Sequence, residues 1–234
     1  MTPCLPCQDR VDWCKQDIPP IGSSIMTRCH WAVAALAWFA AATGTALAAS
    51  DFDPTPLLPV SIEDADRTRL MNFEATRRSA IDAVLGSNAR HTADGMALEE
   101  ILAGEPRPIA NTRELVGTWR CRSAQLDDGS KANDGKGSVY AYPYFKCAIS
   151  ERGGKLFFAK INGSQRVSGF LYRVSNTRFV FLGGNANGDD PPVAYGASPK
   201  SDAVAYLFKA GPRKLRLEMP QTCCSTLEIL ELVR

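Results

Sequence analysis

The stretch Glu151-Arg-Gly-Gly-Lys-Leu-Phe-Phe-Ala-Lys-Ile-Asn-Gly-Ser-Gln-Arg-Val-Ser-Gly-Phe-Leu-Tyr-Arg-Val-Ser-Asn-Thr-Arg-Phe-Val-Phe-Leu-Gly183 decides the fold. Three strand-like runs, at about 154–161, 164–174 and 177–184, are divided by Asn162-Gly163 and Ser175-Asn176, and Glu151-Arg-Gly-Gly154 precedes the first. Turns this short join antiparallel neighbours, and Asn-Gly supplies the positive backbone angle of a tight hairpin. The same period of two extends outward to about 116–124 and 143–151 on one side, and to 201–210, 213–219 and 222–233 on the other, with Gly211-Pro212 as another turn. Eight strands in chain order make a meander. Closing it into an up-and-down antiparallel barrel removes the exposed edges, and a barrel of that strand number is either filled by side chains or holds one small ligand. The expected fold is therefore mainly β, an eight-stranded barrel over residues 113–234, with inward positions that include Trp119, Cys121, Leu171, Leu207, Leu215, Leu217 and Leu227.

Upstream, the pattern changes to helical. Leu70, Phe73, Ile81 and Val84 recur on one face, Glu63 to Arg67 and Glu74 to Arg78 are i,i+4 pairs, Ser61 and Asp64 resemble a capping box, and Gly86 is a stop. A second, shorter helix is expected from about Asp94 to Ala103, carrying Met96, Leu98, Ile101 and Leu102 and ending at Gly104. Residues 49–112 hold 6 basic and 11 acidic side chains, whereas residues 113–234 hold 18 and 11. Net charges of −5 and +7 attract, so the two helices should pack outside the barrel or plug one end.

The whole chain of 234 residues is 45% hydrophobic and 22% charged with net charge +2, which excludes disordered, collagen-like and polycationic classes. Met26-Thr-Arg-Cys-His30, the apolar run Trp31-Ala-Val-Ala-Ala-Leu-Ala-Trp-Phe-Ala-Ala-Ala42 and the small-residue site Ala46-Leu47-Ala48 together read as a signal peptide over residues 26–48. Residues 1–25 are then read as untranslated, with Met26 as the start, and Cys4-x-x-Cys7 lacks the second ligand pair of a zinc site. The expected location is periplasmic or secreted, with no stable membrane span after signal cleavage.

Four cysteines follow residue 48: Cys121, Cys147, Cys223 and Cys224. An even number in an exported chain favours disulfides. Because a bridge between neighbours strains the intervening peptide, Cys223 and Cys224 are each expected to pair with Cys121 or Cys147, locking the first strand to the last. By alternation Cys223 shares the inward face with Leu227, Ile229 and Val233, and Cys224 faces outward with Glu228.

His91 is the only histidine beyond residue 48, which leaves little for a nucleophile and base pair and nothing for a histidine metal site. Asp127-Asp-Gly-Ser-Lys-Ala-Asn-Asp-Gly135 and Asn185-Ala-Asn-Gly-Asp-Asp190 lack the order of a calcium loop, and no phosphate or dinucleotide fingerprint occurs. No catalytic residue, metal or cofactor is expected. Lys155-Leu-Phe-Phe-Ala-Lys160 interleaves bases with aromatics, but export argues against nucleic acid.

Gly117-Thr118-Trp119 on the first strand, with Arg234, resembles the lipocalin arrangement. That resemblance implies an indole across the closed end of the barrel with an arginine stacked on it, the arginine being Arg234, Arg216 or Arg166. A second resemblance spans most of the barrel. Leu115-Val-Gly-Thr-Trp-Arg-Cys121, Tyr144-Phe-Lys-Cys147, Lys160-Ile-Asn-Gly-Ser-Gln-Arg166 with Gly169, and Phe181-Leu-Gly183 are similar to the exported bacterial family called domain of unknown function 4893. It implies compartment and fold rather than chemistry. One of Gln165 and Arg166 should enter the barrel, where Arg166 would anchor an anionic head group or pair with Glu218 or Glu228. The functional expectation is a non-enzymatic barrel binding a small amphiphilic ligand, with Trp119, Gln165 and Arg166 as candidate contacts. The alternative is a filled barrel whose long loops, around 125–140 and 184–200, contact an envelope protein or inhibit an enzyme.

Overall fold

The alternation beginning at Gly117 builds β1 (Gly117–Asp127), and the turns read above then separate β3 (Phe145–Arg152), β4 (Lys155–Lys160), β5 (Gln165–Arg173) and β6 (Arg178–Asn187). β7 (Asp202–Gly211), β8 (Lys214–Pro220) and β9 (Leu227–Val233) complete the meander. The computed structural model describes residues 52–130 and 136–234, so the signal-peptide reading, the start at Met26 and Cys4-x-x-Cys7 lie outside the described residues. Every neighbouring pair is antiparallel, and β9 returns to β1 with Val233 opposite Arg120 and Leu227 opposite Leu126. The barrel is closed. A ninth strand, β2 (Ser138–Ala141), pairs with residues 124–127 of β1, beyond the stretch 117–121 that pairs with β3. It lies in the segment read as a long loop, and exists because β1 runs past its expected end and leaves backbone groups that need partners.

Alternate residues fill the lumen. Trp119, Cys121, Cys147, Ile149, Leu156, Phe158, Leu171, Phe179, Phe181, Ala205, Leu207, Leu215, Leu217, Leu230 and Leu232 form one buried cluster. The opposite positions, including Ala124, Leu126, Val180, Leu182, Val204, Tyr206, Phe208, Leu227 and Ile229, form a second cluster under the helices. Leu227 thus faces outward, against expectation, and Leu230 and Leu232 face inward in place of Ile229 and Val233. β9 is buried on both faces, so its apolar residues carry no information about which face is which.

Three helices cover the outer face where two were expected. α1 (Asp64–Met71) and α2 (Phe73–Leu85) are separated at Asn72, which leaves the helical region at ψ 7° and lets Leu70 and Phe73 both reach the barrel. Asparagine competes with the helical backbone for hydrogen bonds, which favours a break there. α1 begins after Glu63 rather than at a Ser61 box, and the Glu63 amide donates to the Tyr195 hydroxyl at 3.1 Å. α3 (Ala93–Leu102) starts with Thr92 accepting from the Gly95 amide, close to the expected span.

Charge complementarity between the helices and the barrel is realised as cross-layer pairs. Glu74 meets Arg178 at 2.7 Å and Glu100 meets Arg122 at 3.0 Å, so the expected Glu74 to Arg78 pair is replaced. Arg67 binds Asp53 at 2.6 Å instead of Glu63, and hydrogen bonding from Thr55, followed by that from Arg67, holds the Asp53 carboxyl pKa down to about 2. One pair runs the other way. Arg77 of α2 reaches Glu218 of β8 at 2.8 Å, and Arg216 pairs with the same carboxylate at 2.9 Å while donating to the carbonyls of Leu102 and Gly104 behind α3. Glu218 is completely buried.

Among the described residues, one disulfide joins Cys121 of β1 to Cys147 of β3. This corrects the expected connectivity. At Cys121 both neighbours of β1 are present, Phe145 of β3 and Leu232 of β9, but the cysteine within reach is Cys147, two residues along β3, whereas Cys223 and Cys224 fall in the 221–226 loop before β9 begins, Cys223 being exposed.

Three outcomes follow in unfolding measurements. Glu218→Ala leaves the buried Arg216 charge uncompensated and should lower stability by about 3–5 kcal/mol, whereas Glu99→Ala, which breaks the exposed pair with Arg90, should cost under ~1 kcal/mol. Cys147→Ser should remove about 2–4 kcal/mol, and an unchanged melting temperature would contradict the bridge.

Candidate functional site

The two ends of the barrel differ in chemistry. At the end where β1 begins, the segment after α3 runs across the strands: the Arg107 amide donates to the Lys209 carbonyl at 2.8 Å and the Ile109 amide to Asn176 at 2.7 Å. Ile109 and Leu115 then plug the lumen beside Trp119, whose indole N–H donates to the Leu115 carbonyl at 2.9 Å. The Arg234 guanidinium lies 3.8 Å over the Trp119 ring and donates to the carbonyls of Glu114, Leu115 and Val116. A planar cation can stack on the indole and still direct its N–H groups at oxygens in its own plane. Gly117 makes room for it, because at φ +133° a Cβ there would lie 2.9 Å from an Arg234 nitrogen. Among the arginines considered, Arg234 takes this place.

At the rim of this closed end opens a recess of about 420 Å³. Leu57 and Pro59 of the proline-rich lead form one wall, Val116, Leu156, Leu171 and Phe179 the floor, and Arg113, Lys155 and Arg173 stand around it with Glu151 as the one acid. Arg173 is engaged, stacking 4.7 Å over Phe179 and donating to the Ile109 carbonyl at 2.9 Å. Arg113 and Lys155 are exposed. The recess therefore offers an apolar floor under an excess of positive charge.

The opposite end is the mouth, where the lumen turns polar. By alternation Ser123, Gln125, Lys160, Gln165 and Glu228 face inward above the apolar cluster. Ser123 donates to Glu228 at 2.5 Å and the Gln125 amide donates to its other oxygen at 3.4 Å, while the Tyr142 hydroxyl donates to Gln125 at 3.2 Å. Lys160 donates to the Gln165 carbonyl at 2.8 Å and sits 4.2 Å over the Phe145 ring. Burial pushes its ammonium below the ordinary lysine value, against the pull of Glu228. The long 188–201 loop borders this mouth and is held to α1 by Tyr195, which donates to Asp66 at 2.7 Å.

The sequence candidates do not converge. Trp119 lies at the closed end, whereas Gln165 and Arg166 lie at the mouth. Arg166 is on the outward face and donates to the Asp190 carbonyl at 2.6 Å, so it fastens the 188–201 loop and meets neither Glu218 nor Glu228. Glu228 faces inward, opposite to its expected side, for the reason that misplaced Leu227. The recess itself was not foreseen in the sequence, where Leu171 was named only as an inward position and Lys155 only within a basic and aromatic run. Its signal was topological: Glu151, Lys155 and Arg173 all border hairpins that an antiparallel meander delivers to one end. Lys160 was legible more directly, since it ends the apolar inward series of Leu156 and Phe158, whereas Glu228 was hidden by the misread facing of β9.

Among solved structures the chain is similar to a redesigned β-barrel, at 12% identity and TM-score 0.33, over 53% of this chain and 93% of that one. No curated protein matches it. The model of one family, described as Domain of unknown function (DUF4893), matches residues 60–232, and the chain belongs to that family.

Proposed function

We propose that this chain is an exported, non-enzymatic barrel that binds a small amphiphilic molecule with an anionic head group, and that the molecule sits in the rim recess rather than in the lumen. The observation that carries this reading is the pairing, in one recess of about 420 Å³, of an apolar floor with the Arg113, Lys155 and Arg173 cations. That size and mixture suit a small ligand. The lumen, by contrast, is occupied by its own side chains from Leu115 to Met219. Export is supported by the signal-peptide pattern of residues 26–48 and by the buried Cys121–Cys147 bridge, which persists in an oxidising compartment.

A second reading is favoured by the same filled lumen. A barrel without internal space would act through its surface, and the loop tied down by Arg166 and Tyr195 is a surface held ready for a protein of the cell envelope.

Trp119 is the only tryptophan after residue 48, so its emission reports on the closed end. Titration of the exported chain with laurate below its micelle concentration should change that emission saturably, with dodecyltrimethylammonium binding more weakly. Arg113→Ala with Lys155→Ala should raise the laurate Kd by roughly tenfold, an energy of about 1.4 kcal/mol, and leave the melting temperature unchanged. Equal binding of the two detergents, or none, would overturn the anionic reading and turn attention to the loop surface.

A further inference from the structure

The 221–226 loop between β8 and β9 places two adjacent cysteines with their sulfurs in contact. The Sγ atoms of Cys223 and Cys224 are 3.4 Å apart, Cys223 is exposed and Cys224 is half-buried. Thr222 and its neighbours set this geometry. Its hydroxyl accepts from the Ser225 amide at 3.1 Å and meets the Ser225 hydroxyl at 2.7 Å, so the pair rides on a tight turn. The turn is fixed at both flanks. Arg69 of α1 donates to the Gln221 carbonyl at 3.3 Å, and Thr226 donates through its amide to Leu126 at 2.9 Å and through its hydroxyl to Asp128 at 3.1 Å. Among the described residues, Cys121 and Cys147 are joined to each other inside the barrel.

From this geometry we propose that Cys223 and Cys224 form a reversible redox site, a vicinal dithiol that closes to a disulfide between neighbouring residues. The exposed Cys223 thiolate attacks a sulfur of an incoming disulfide, forming a mixed disulfide and expelling one thiolate. The Cys224 thiolate then attacks the Cys223 sulfur, closes the ring and expels the second. Two electrons and two protons pass from the pair to the incoming disulfide, which leaves as two thiols. A ring spanning a single peptide bond is strained, and strained, exposed disulfides are the readily reduced ones. The Cys121–Cys147 bridge is buried in the core and takes no part.

Trypsin makes the test direct, because residues 217–234 form one peptide that contains both cysteines and no internal Lys or Arg. The folded chain is treated with dithiothreitol mild enough to spare the core bridge, or with oxidised glutathione, then alkylated in denaturant, digested and weighed. After reduction the peptide should carry two alkyl groups. After glutathione disulfide it should carry none, run two hydrogens lighter and have no partner peptide, while Cys121 and Cys147 stay linked in both samples. Cys224→Ser should instead retain one glutathione on Cys223. Recovery of the 217–234 peptide joined to Cys147 or to a second chain, or still carrying two alkyl groups after oxidation, would overturn the proposal. So would two glutathiones on the unmodified sequence.

Discussion

The ladder between β1 and β9 is the constraint on which the remaining architecture rests. It joins the first long strand to the last, from Arg120 opposite Val233 to Leu126 opposite Leu227. At one end it delivers Arg234 to the face of Trp119 and to three carbonyls of the entering chain. At the other it brings Glu228 beside Ser123 and Gln125. Its outer face, with Ala124, Leu126, Leu227 and Ile229, is part of the floor on which the helices pack. A barrel left open here would lose its closed end, its polar mouth and part of its helical cover together.

The helical cover is an electrostatic as well as an apolar layer. Its acidic side chains meet barrel cations in pairs such as Glu74 with Arg178, whose guanidinium also lies 4.7 Å over Tyr206. The Arg77, Glu218 and Arg216 group is the exception that fixes register, since a buried carboxylate between two guanidiniums tolerates little sliding of α2 over β8. With one side of the barrel covered and its lumen filled, chemical variety is left to the two ends. One end presents a cationic rim over an apolar floor and the other a carboxylate and an ammonium among neutral donors.

The barrel was legible because hairpin turns and a period of two are local signals: Glu151-Arg-Gly-Gly154 and Asn162-Gly163 name their own conformations. The stacking of an arginine on Trp119 was an implication of the resemblance of Gly117-Thr118-Trp119 to the lipocalin pattern, which left Arg234, Arg216 and Arg166 open, and Arg234 is the one that stacks. Facing was not legible for β9, where the helices make both sides apolar, and the error carried Leu227, Glu228 and Cys223 with it. The break at Asn72 and the short strand β2 were hidden because both answer tertiary demands, a bend that seats Phe73 and a free stretch of β1. The recess could not be seen strand by strand. It is assembled from Leu57, Arg113, Lys155 and Arg173, positions that come together only when the meander closes over the entering chain.

Closure by the first and last strands also sets an order of events. Contacts between β1 and β9 span about the whole barrel sequence, and such non-local pairings make folding slow. While the chain emerges from its N-terminus, β1 must wait with one edge unsatisfied until β9 exists, and an open edge is a template for pairing with other chains. The bridge from Cys121 to Cys147 closes over a separation of only 26 residues. It can form as soon as β3 has emerged, and it then holds β1 against its proper neighbour through the interval in which mispairing is most dangerous. In that light the disulfide is a kinetic guard on the nascent barrel as much as a stabiliser of the finished one.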